Sequence, residues 1–88
     1  MKGVIMDKDN ERKIRVGTIR LGDMEEVALM RFCLLQFIDE SKFAIGYAPS
    51  GQKFNYEIGV VMQEEDVLKV KRAVDGMAEF GLCMEAFL

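Results

Sequence analysis

At 88 residues and a formal charge of −3, the chain has room for one small domain, residues 1–88, and not for two. Half of its residues are apolar and 31% are charged, with 8 Gly and 1 Pro, which excludes a disordered tail and calls for one packed core. The acidic balance argues against a nonspecific nucleic-acid binder, which needs surplus Lys and Arg to neutralise phosphates.

Residues 2–6 and about 12–21 are rich in Val and Ile and flank the polar stretch Asp7 to Glu11. They read as a hairpin, or as one strand preceded by an arm. Gly22-Asp23 offers an N-cap, and Met24, Val27, Met30, Leu34 and Ile38 follow at helical spacing. Glu25 and Glu26 fall in the first turn, where carboxylates suit the helix dipole, so a helix is predicted over about 23–39. Two stretches alternate with period two: 42–48, carrying Phe43, Ile45 and Tyr47, and 54–62, carrying Phe54, Tyr56, Ile58, Val60 and Met62. Pro49-Ser50-Gly51-Gln52 between them supplies turn chemistry, so the two form a hairpin. Glu64-Glu65-Asp66 opens a second helix over about 64–79, with Val67, Val70, Val74 and Met77 inward and Gly81 placed to end it. The apolar stretch 82–88 reads as a last strand.

These elements define an α+β domain with an antiparallel sheet of four or five strands and two helices on one face. Without the N-terminal arm the order is βαββαβ, that of the ferredoxin-like arrangement, which is the preferred reading. It places the strand at 13–20 between the strand at 54–62 and the C-terminal strand, and sets Lys13 and Arg15 on the solvent face opposite Glu57 and Glu85. A central strand then has no edge left for residues 3–6, so one pairing must yield. The alternative is a tandem ββα-ββα unit, because Val16-Gly17-Thr18-Ile19 and Ile58-Gly59-Val60-Val61 resemble one another and each precedes an acidic helix start. Either architecture is shared by many unrelated proteins and transfers no function.

The chemistry-bearing residue types are sparse. There is no His, which removes the commonest general base, the commonest metal ligand and any Cys-His or Ser-His pair. Cys33 and Cys83 have neither metal-site nor disulfide-framework spacing. Cys33, beside Phe32 and Leu34 with no basic neighbour, reads as a buried inert thiol. Asp7, Asp9 and Glu11 resemble half of a calcium loop without its other ligands. Asp39-Glu40-Ser41 reads as a polar loop, and Ser50-Gly51-Gln52-Lys53 is too short for a phosphate loop. Phe43, Tyr47, Phe54 and Tyr56 share a face with Ile45 and Ile58 and are expected in the core rather than as an RNA-stacking platform. No enzyme, metal site or cofactor is expected.

The first functional expectation is therefore a noncatalytic protein-interaction or regulatory module that binds a protein partner or itself as a homodimer. The alternative is a small-molecule-sensing regulatory domain, with its ligand between subunits or at a helix-strand corner. The start of the chain reaches Asp7 too soon for a signal peptide, and no run is long enough to span a membrane. Neither nucleic acid nor membrane is expected as a partner, and the expected location is the cytoplasm. The outward sheet face, where self-association is expected, is assigned Ile19, Ala44, Gly46, Val61 and Phe87, a flat apolar set.

Overall fold

In the computed structural model, residues 14–51 and 53–88 are described. The elements run β1 (Ile14–Leu21), α1 (Met24–Leu35), a 3-10 turn (Glu40–Lys42), β2 (Phe43–Tyr47), β3 (Tyr56–Gln63), α2 (Glu64–Phe80) and β4 (Met84–Phe87). The connectivity is βαββαβ, the class is α+β, and the single four-stranded sheet has the order β2-β3-β1-β4 with every neighbouring pair antiparallel. β1 lies between β3 and β4, where the preferred reading put it. The proposed strand at residues 3–6 lies outside the described residues, as do Lys13 and the half-calcium-loop carboxylates.

Local chemistry accounts for the boundaries. Asp23 caps α1 by accepting a hydrogen bond from the Glu26 N–H at 2.9 Å, and Glu25 and Glu26 complement the positive end of the helix. The helix ends at Leu35, four residues short of the expected 39. No glycine stands there to close it, and Asp39 and Glu40 would place negative charge on the negative end of the dipole. Asp39 instead accepts from the Ser41 N–H and starts the 3-10 turn. The β2–β3 hairpin closes with the Ala48 N–H on the Asn55 carbonyl at 2.8 Å, and Gly51 takes φ +85°, a left-handed conformation that a glycine adopts freely. Gly81 ends α2 in the same way at φ +114°.

Both helices cover one face of the sheet. The core joins Ile19 and Leu21 of β1, Ile58, Val60 and Met62 of β3, Val27, Met30 and Leu34 of α1 with Ile38 beyond it, and Val67, Val70 and Ala73 of α2. Val74 and Met77 are only half-buried at its margin, and Ala73 takes the central position that periodicity assigned to Val74. Ala73 sits against α1, where its carbonyl accepts from the Cys33 thiol; a small residue there lets the two helices approach. Met24, expected on the inner face, is exposed at the first turn. Gly17 is closely approached: a Cβ there would come within 2.7 Å of Leu88 Cδ2 and Met62 Cε, the ends of flexible side chains that would have to shift, and 3.3 Å of the Phe87 carbonyl oxygen.

Candidate functional site

Strand register decides which residues the helices hide. In β1 the odd positions Gly17, Ile19 and Leu21 pair with Val60, Ile58 and Tyr56 and face the helices. The even positions Ile14, Val16, Thr18 and Arg20 therefore point away from them. On that second face the pairs across β1 and β3 are Ile14 with Gln63, Val16 with Val61, Thr18 with Gly59 and Arg20 with Glu57. β2 adds Ala44 beside Gly59 and Gly46 beside Glu57, and β4 adds Phe87 beside Thr18 and Glu85 beside Arg20. Among the described residues no element covers this face.

Four of the five expected face residues, Ala44, Gly46, Val61 and Phe87, are brought together here. Ile19 is not: it is fully buried in the core, and the expected set was one residue out of phase along β1. The physical reason is charge. Turning Ile19 outward would turn Arg20 inward between Ile58 and Met84 in the dry core, and an unpaired buried guanidinium costs several kcal/mol. Exposing Val16 costs less. The same shift moves the cross-strand charge pairing from Lys13 and Arg15 to Arg20, whose Nε lies 3.4 Å from Glu57 Oε1. Arg15 instead donates to the Leu88 main-chain oxygen at 2.8 Å. Ile14 and Val16 are thus site residues that the sequence reading missed, and the position of Arg20 was the signal that could have found them.

The face is zoned. Ile14, Val16, Val61 and Phe87 are 57%, 71%, 46% and 55% exposed, and with Ala44, Gly59 and Thr18 they form an apolar area over most of its length. No atom stands within 4 Å of where a Cβ would project at Gly59 or Gly46, so a side chain at either position would meet open space. Among the described residues charge lies at one end, where Arg20 lies between Glu57 and Glu85 in the ladder and its guanidinium carbon sits 5.3 Å from the centre of the Phe87 ring.

The other candidates are placed as follows. Cys33 is half-buried, and burial pushes its thiol above the ordinary value, which disfavours the reactive thiolate. Cys83 is exposed. Asp39 is held below the ordinary carboxylate value by hydrogen bonds from the Ser41 hydroxyl and N–H. Phe54 is buried and Phe43 and Tyr56 are half-buried, as core residues should be, whereas Tyr47 is 81% exposed at the end of the edge strand, stacked at 5.5 Å on Tyr56. The helices do not reach that far across the sheet. Among the described residues there is no enclosed pocket, no group of three metal-ligating side chains, and no helix long and apolar enough to cross a membrane.

The chain matches no family model, no curated protein and no solved structure.

Proposed function

We propose that this chain is a noncatalytic protein-interaction module of the cytoplasm, and that it works by self-association through the open face of its sheet. The observation that carries the reading is the adjacency of Ile14, Val16, Val61 and Phe87 on a face that no described element covers. A second copy presenting the same face covers these side chains isologously.

Light scattering on the purified chain at tens of micromolar tests this. The expected mass is about 20 kDa, twice the 10.0 kDa of one chain. Val16→Glu and Phe87→Glu should each lower it towards one chain mass while keeping a cooperative melt, because both side chains already face solvent in the monomer. A wild-type chain of single mass at every concentration would refute self-association, and a mass unaffected by either substitution would refute this face.

A further inference from the structure

We draw no further inference here: the strongest candidate, the outer edge of β2, where Ile45 and Tyr47 are exposed at the margin of the sheet, carries none because nothing in the structure shows what covers it.

Discussion

Met24 and Met30 lie on one helix and do different work. Met30 is fully buried between the sheet and α2, whereas Met24 is 55% exposed at the first turn. Truncating a buried methionine removes its transfer free energy and leaves a cavity, so Met30→Ala should cost about 2–5 kcal/mol. Met24→Ala should change stability by no more than about 0.5 kcal/mol. Urea denaturation with unchanged m-value checks both, and equal costs would mean that the helix is rotated from the orientation described. At this scale the sequence was legible wherever helical period met a continuous apolar stripe, as at Val27, Met30, Leu34 and Ile38. It misled where two neighbouring residues were both apolar. Ala73 and Val74 compete for one inward position, and periodicity favours the larger. The closeness of α1, visible only in three dimensions, selects the smaller.

Among the elements, the junction of β3 with α2 is the most specified. Asp66, only 5% exposed, accepts from the Gln63 N–H at 3.2 Å and from Lys42 Nζ at 3.2 Å. Its carboxylate therefore ties the start of α2 to the end of β3 and to the 3-10 turn. The hydrogen bond from the Gln63 N–H, aided by Lys42 and opposed by burial, holds its pKa below the ordinary value. A carboxyl with a lowered pKa in the folded state stabilises fully above its unfolded value. That contribution disappears as pH falls through the folded value, so the loss begins below about pH 4. Asp66→Asn should accordingly lower stability at neutral pH and flatten the acid side of the stability curve. Thermal melts from pH 7 down to about 2 would show it; a variant whose acid slope matches the parent's would remove Asp66 from the account. Sequence reading located this helix start from Glu64-Glu65-Asp66. It did not single out Asp66, because the partner Lys42 is brought in by a turn 24 residues away. The order of strands and helices was legible throughout the described residues, since most of them carry their own period; the end of α1 and the 3-10 turn after it were not, because no stop residue follows Leu35. The phase of β1 was not, because alternation fixes which residues share a face but not which face is covered.

For the whole molecule, the placement of charge bears on nucleic acid. RNA-reading sheets present aromatic side chains on an open face with basic residues around them. Here, among the described residues, the open face carries one aromatic ring, Phe87, and one cation, Arg20, flanked by Glu57 and Glu85. Elsewhere Arg31 donates to Glu40 at 2.7 Å and Lys42 to Asp66 at 3.2 Å. The remaining cations of α2, Lys69, Lys71 and Arg72, share their helix with Glu64, Glu65, Asp66, Asp75 and Glu79. With a net charge of −3, binding would release few counterions and gain little from them. Neither duplex DNA nor RNA should be retarded by micromolar protein at physiological salt. Gel-shift titration of both at two salt concentrations checks this, and retention that weakens steeply with salt would instead assign Arg15 and Arg20 to phosphate contacts. Neutralising Glu57 and Glu85 together, as Gln, sharpens the comparison. The face then turns from net −1 to net +1, so any latent phosphate affinity should appear in that variant first. Continued absence of binding there would show that the missing stacking aromatics, and not the acidic end of the sheet, keep nucleic acid away.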